Sequence, residues 1–219
     1  MFIGHYSAAF IGAAQPKAPN LGTLFVAAQL VDFGFFAFTL VGVENMRITP
    51  GFTVMNGMDL YDMPYTHSLL GSLLWALGFA ALIWMVSRRA HAAMIGGAVV
   101  LSHWVFDVLV HSQDMTFLGA PPKFGFGLWN YPKIEMPLEI ILCYGAMAYF
   151  IRRTRRAASS LSVIILALFL IAVQAFNWFA PPPVAFEPSI PISGLIAFSV
   201  VAGIAYWAHT SSQLQHEQV

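Results

Sequence analysis

Charge is what this sequence has least of. Of its 219 residues only 9% are Asp, Glu, Lys or Arg, against 58% that are hydrophobic. Soluble domains carry roughly 25% charged residues, so this chain is matched to a lipid solvent. Its ten basic and ten acidic residues cancel, which removes the bulk basicity that nucleic-acid binding uses. No nucleic-acid partner is expected. Cysteine is nearly absent too: Cys143 stands alone in an apolar run. One cysteine makes neither an intrachain disulfide nor a thiolate metal set, which leaves buried packing as its role. The opening MFIGHYSAAF has no basic n-region, so it is expected to stay on the protein rather than be cleaved as a signal peptide.

What the sequence does have is long apolar runs, near 21–43, 65–87, 91–112, 136–151, 161–180 and 189–209. A helix crosses the bilayer with about 20 apolar residues, so most of these suffice and 136–151 is short. The fold expected is an all-α, polytopic transmembrane bundle of about six spanning helices plus a short N-terminal half-helix. Residues 1–135 hold the polar core and an outer loop, and 136–219 add three further spans and a tail. The stretch APPPVAFEPSIP at 180–191 is a turn, because proline cannot continue a helix. Arg88, Arg89 and the RRTRR run at 152–156 lie at span ends and mark the cytoplasmic side, with Lys17 in agreement. The loops 44–64 and 113–135 then face outward and the C-terminus inward. The expected location is a bacterial-type inner membrane.

Against this background the polar residues inside the spans stand out. LSHWVFDVLVHS at 101–112 places His103, Asp107 and His111 four residues apart, on one face of a helix. YTHS puts His67 at the outer end of the second span, level with His111. Asp32 sits in the first full span, in AAQLVDFGFF, without a basic neighbour. If the N-terminal segment folds back about QPKAPN, then His5, Asp32 and His103 all come roughly 18–22 Å from the cytoplasmic face at ~1.5 Å per residue. A charge inside the membrane costs at least ~2.5–3.5 kcal/mol, and no Lys or Arg is placed inside a span to offset it. Imidazole and carboxylate without thiolate suit a divalent metal, Zn²⁺ first and Mn²⁺ or Fe²⁺ next. His5, Asp32, His67, His103, Asp107 and His111 are the candidate ligands. They are enough for one or two ions.

Asp32 and Asp62 are the candidate catalytic bases, Asp62 because DLYDMPYTHS brings it five residues before His67. Glu44 and Asp59 read as solvated loop residues, Glu139 as a partner of Lys133 or of water, and His91, His209 and His216 as solvated boundary residues. FGFGLWNYP at 124–132 reads as an interfacial anchor, with a lid over the site as the second reading.

The segments GHYSAAF, QLVD, YTHSLL and SHWVFDVLVHS resemble the LexA-regulated, inner-membrane metal-dependent hydrolases, a group distantly related to zinc-dependent phospholipase C and P1 nuclease. The resemblance covers about residues 1–135. It implies metal binding at His5, Asp32, His67, His103 and Asp107, with His111 fitting the stripe, and hydrolysis of a phosphoester. The family pattern has a carboxylate-rich D-x-D-H stretch where this chain has Asp32 followed by FGFF, which favours one or two ions over three. The expected function is hydrolysis of a phosphoester in a lipid or lipid-linked substrate by a His/Asp metal cluster open to the outer side, with membrane lipid and a small-molecule or lipid substrate as partners. The alternatives are a proton- or cation-coupled permease and an accessory subunit, in a homo-oligomer or a larger complex. No internal repeat is visible, which counts against a permease built from inverted halves.

Overall fold

A computed structural model describes residues 1–154 and 161–214. The chain begins with a 3₁₀ turn, Ile3–His5, that leads into α1 (Tyr6–Ala13). After a turn come α2 (Leu21–Ala28) and α3 (Leu30–Val41). The Asn20 side chain caps α2 by accepting from the Gly22 N–H at 2.8 Å, and Gly42 ends α3 in the left-handed conformation. A hairpin, β1 (Asn45–Ile48) with β2 (Met58–Asp62), precedes α4 (Leu69–Ser87) and α5 (Ala90–Val110). A smaller hairpin, β3 (Met115–Thr116) with β4 (Lys123–Phe124), precedes α6 (Pro132–Thr154), α7 (Leu161–Phe179) and α8 (Ser189–Leu214).

The fold is the all-α bundle expected, with five helices long and apolar enough to cross a membrane. The run 21–43 accounts for a sixth crossing only as a bent pair: α2 and α3 meet at 52°. Neither Pro nor Gly makes the bend. It falls at Gln29, which is fully buried and whose amide donates to the Phe2 carbonyl at 3.1 Å. Gln29 leaves helical geometry there, with φ −110° and ψ 10°, and its N–H bonds the Val26 carbonyl three residues back.

Three other boundaries move. The second span starts at Leu69, where Ser68 is the N-cap, so His67 lies on the loop before the helix and not on its end. The short run 136–151 is extended to 23 residues, with proline at the first position, where its missing N–H costs nothing. The third span stops at Val110. His111 is its C-cap, still tied to the last turn by its N–H to the Asp107 carbonyl at 2.8 Å.

The half-helix α1 is an internal plug. Tyr6 and Phe10 are fully buried, and both pack on Phe25 of α2, with ring centroids 4.2 and 5.2 Å apart. The same core takes in Val100 of α5, Cys143 of α6, Leu170 of α7 and Val201 of α8. Cys143 is therefore a packing residue, as its surroundings implied. By contrast α4 presents Leu74, Leu77, Trp84 and Met85 outward, as a helix facing hydrocarbon requires. The two hairpins gather at the end where α4 begins and α5 stops. Arg88, Arg89, Arg152 and Arg153 sit at the other end of their helices. Arg155, Arg156 and His216 lie outside the described residues.

Candidate metal centre

Six side chains converge from four segments: His5 from the N-terminal turn, Asp32 from α3, His67 from the loop before α4, and His103, Asp107 and His111 from α5 and its cap. Asp107 is the hub. Its Oδ1 stands 3.1 Å from His5 Nε2 and 3.7 Å from His111 Nε2. Its Oδ2 stands 2.9 Å from His103 Nε2 and 3.6 Å from His67 Nε2. Asp32 Oδ1 is 3.2 Å from His67 Nε2 and 3.5 Å from His103 Nε2. The rings of His5 and His103 stack face to face, 3.9 Å apart and 7° from parallel. The Met1 amino nitrogen is 3.4 Å from Asp107 Oδ1.

The far side of three rings decides what the near side can be. His103 Nδ1 donates to the carbonyl of Ala28 at 2.7 Å, an oxygen left over at the end of α2 because terminal carbonyls have no partner within their helix. His111 Nδ1 donates to Asp114 Oδ1 at 3.0 Å. His67 Nδ1 faces the Thr66 hydroxyl at 2.9 Å, and that hydroxyl's proton goes to Glu44 Oε2 at 2.6 Å. The Thr66 oxygen therefore accepts from the ring. With Nδ1 protonated on all three rings, each imidazole in its neutral form turns the lone pair of Nε2 inward. Those lone pairs meet carboxylate oxygens, acceptor against acceptor.

A cation resolves that arrangement. The Nε2 atoms of His5 and His103 make no hydrogen bond of acceptable direction, although oxygens lie within 3.1 Å of both. Bonds of ~2.0–2.1 Å to a tetrahedral zinc put neighbouring ligand atoms about 3.3 Å apart, and the N···O separations above fall on either side of that value. Two triads bring their donors within 4.8 Å of one another: His5, His103 and Asp107, and Asp32, His67 and His103. No Lys or Arg contacts the six among the described residues. These buried groups can hold a metal ion.

Asp62 stands apart. It ends β2, and its carboxylate accepts from the Asn45 amide at 2.8 Å across the hairpin; the structure does not bring it to the cluster. Two residues read as solvated are not. Glu44 is fully buried and accepts from the Tyr65 N–H at 2.7 Å, the Thr66 N–H at 3.0 Å and the Thr66 hydroxyl. Asp59 is buried against Arg47 Nε at 2.6 Å. His209 is half-buried, its Nδ1 near the Leu21 N–H at the start of α2. Glu44, Thr66 and Asp114 are the site residues that sequence reasoning missed. The signal available was proximity alone: Thr66 adjoins His67, and Asp114 follows His111 by three.

The loop 124–132 covers the cluster. Trp129 is buried with its ring 4.4 Å from that of His111, so the lid reading describes it better than an interfacial anchor. Gly127 N–H donates to the His111 carbonyl at 2.7 Å. A Cβ on Gly125 would collide with the Ser112 carbonyl oxygen, so only glycine lets the strap lie so close. The least enclosed of the six side chains is Asp32, which is 20% exposed while the other five are at most 3%.

Glu139 makes no ion pair with Lys133 among the described residues. It is buried, accepts from the Phe2 and Gly4 N–H groups through Oε1, and takes the Gln174 amide on Oε2 at 3.0 Å. Thus α6 and α7 hold the turn that carries His5. Glu139→Ala frees three donors at a cost of roughly 1–3 kcal/mol each. The expected result is a lower unfolding temperature and metal affinity weaker by about 10–100-fold, as for other outer partners of ligands, both read by thermal melts with and without added Zn²⁺.

Comparison of the chain with known protein families, with characterised proteins and with solved structures finds no match.

Proposed function

We propose that this protein is a membrane-embedded, metal-dependent hydrolase that cleaves a phosphoester of a lipid or lipid-linked substrate. The observation that carries the reading is the convergence of inward Nε2 atoms on two carboxylates with no Lys or Arg side chain among the described residues between them, the Met1 amino group standing 3.4 Å from Asp107 Oδ1. The resemblance of its motifs to inner-membrane metal-dependent hydrolases points the same way. Zinc suits the donor set best. Asp107 offers one oxygen to His5 and His111 and the other to His103 and His67, an arrangement that serves one ion or two sharing a carboxylate.

When bound, a divalent ion supplies Lewis acidity toward a phosphoryl oxygen and lowers the pKa of water. The rest falls to the chain. Asp32 is the ligand at the open edge, so it is the group placed to take a proton from attacking water. The P–O bond to the leaving alcohol then breaks, and the proton returns to that alkoxide. Trp129 and its strap exclude bulk water from the His111 side. With the basic helix ends in the cytoplasm, the site opens outward.

The test is elemental analysis and turnover on protein in lipid nanodiscs. About one or two equivalents of Zn, Mn or Fe per chain are expected, together with release of headgroup or phosphate from a phospholipid. His103→Ala should abolish both. Less than one equivalent of metal in the wild type would sink the reading, and a His103→Ala protein that fails only in assembly would point to a structural cluster.

A further inference from the structure

Beside the metal centre, on the hydrocarbon-facing side, the bundle has an apolar groove of about 830 Å³. One wall is a stripe of α4 that includes Gly71, Leu74, Gly78 and Leu82, spaced to share a helix face. The other wall is Leu30, Phe38 and Val43, from the bent segment. The 52° bend at Gln29 swings α3 out of line with α2 and opens the gap. Gly78 hollows it further, because a Cβ there would meet no atom within 4 Å.

Three features say what fills this groove. Its walls belong to helices apolar enough to span the bilayer, where hydrocarbon and not water is the solvent. From Leu70 to Leu82 it runs about 18 Å at ~1.5 Å per residue, close to the depth of one leaflet, half of a ~30 Å core. Its polar groups lie at one end, on the loop Pro64–Ser68. There the Tyr65 carbonyl takes the Trp75 indole N–H at 3.2 Å, and Ser68 caps α4. Between Tyr65 and Ser68, the same loop carries Thr66 and His67.

We infer that the groove seats one acyl chain of a membrane glycerolipid, with the headgroup over the Pro64–Ser68 loop. The chain enters sideways from the leaflet, and the ester region stops at the loop that supplies His67. That this lipid is also the substrate rests on the function proposed above; the seat itself does not.

The experiment uses the full chain in phosphatidylethanolamine/phosphatidylglycerol nanodiscs doped with phosphatidylglycerol bearing a diazirine on one acyl chain. After irradiation, adducts are mapped by mass spectrometry. Adducts should concentrate several-fold on Phe38, Leu74 and Leu82 over Leu168 and Phe176, which are exposed on α7 outside this groove. Gly78→Trp fills the groove and should bring them down to the α7 level while metal content stays at the wild-type value. Leu74→Trp, at an exposed position, is the second variant should the first fail to fold. Evenly spread adducts, or an unchanged pattern in both variants, overturn the inference. Groove adducts on a protein that hydrolyses no lipid leave the seat standing and remove the hydrolase.

Discussion

Asp107→Asn should strip the protein of its metal and its turnover while leaving the fold intact. The carboxylate faces four Nε2 atoms, two on each oxygen. Asparagine keeps the shape, but it removes the negative charge and replaces one oxygen with an amide NH₂ that cannot ligate. That NH₂ can donate to an inward imidazole lone pair, so the metal-free variant gains a hydrogen bond where the wild type sets acceptor against acceptor. Metal content should fall from about one or two equivalents to background. Added Zn²⁺ stabilises the wild type by mass action, by ~2.7 kcal/mol at a hundred times Kd, and should leave the melting temperature of Asp107→Asn unchanged. If the cluster were held by imidazolium–carboxylate pairs alone, the opposite pattern would appear: the variant would be destabilised outright, and zinc would shift neither protein.

The difference between those outcomes also shows what the sequence could and could not disclose. His103 and Asp107 were legible because helical geometry turns a spacing of four into a shared face. Asp32 and His5 were legible because counting along spans fixes depth. Depth does not fix azimuth, however. His5 reaches the cluster through Asp107 and the face of His103, not through Asp32. Nor could periodicity locate the bend at Gln29, which falls inside one apolar run with no Pro or Gly at the break. That bend matters twice, because α2 ends at Ala28, whose carbonyl orients His103, and because it opens the groove along α4.

The hairpins were the least legible part. In a membrane chain the polar loops read as solvated by default, and here that default hides the residues that fix the imidazole tautomers. Glu44 is the clearest case. Nothing in VGVENMR separates it from a surface glutamate, yet it folds back 22 residues to organise the His67 loop.

Glu44→Gln should therefore cost more in metal affinity than in stability. Oε1 of Glu44 accepts two backbone N–H groups, from Tyr65 and Thr66, so the amide oxygen of glutamine must take that place. Its NH₂ then faces the Thr66 hydroxyl where Oε2 had accepted a proton. The Thr66 oxygen becomes the acceptor, and its own proton turns to His67 Nδ1. The ring must switch tautomer, and Nε2 now points an N–H at Asp32 in place of a lone pair. A change of one atom, two bonds removed from the ligand, thus closes one wall of the metal site. Affinity should drop about 10–100-fold with the unfolding temperature of the metal-free protein little altered. ¹⁵N NMR of the His67 ring should show the proton moving from Nδ1 to Nε2. Glu44→Ala separates the two effects: it leaves two N–H groups and a hydroxyl unpaired in a buried loop, at roughly 1–3 kcal/mol each, and should lower stability and affinity together. A Glu44→Gln protein with wild-type affinity and an unchanged His67 tautomer would show that the relay does not set the ligand's proton.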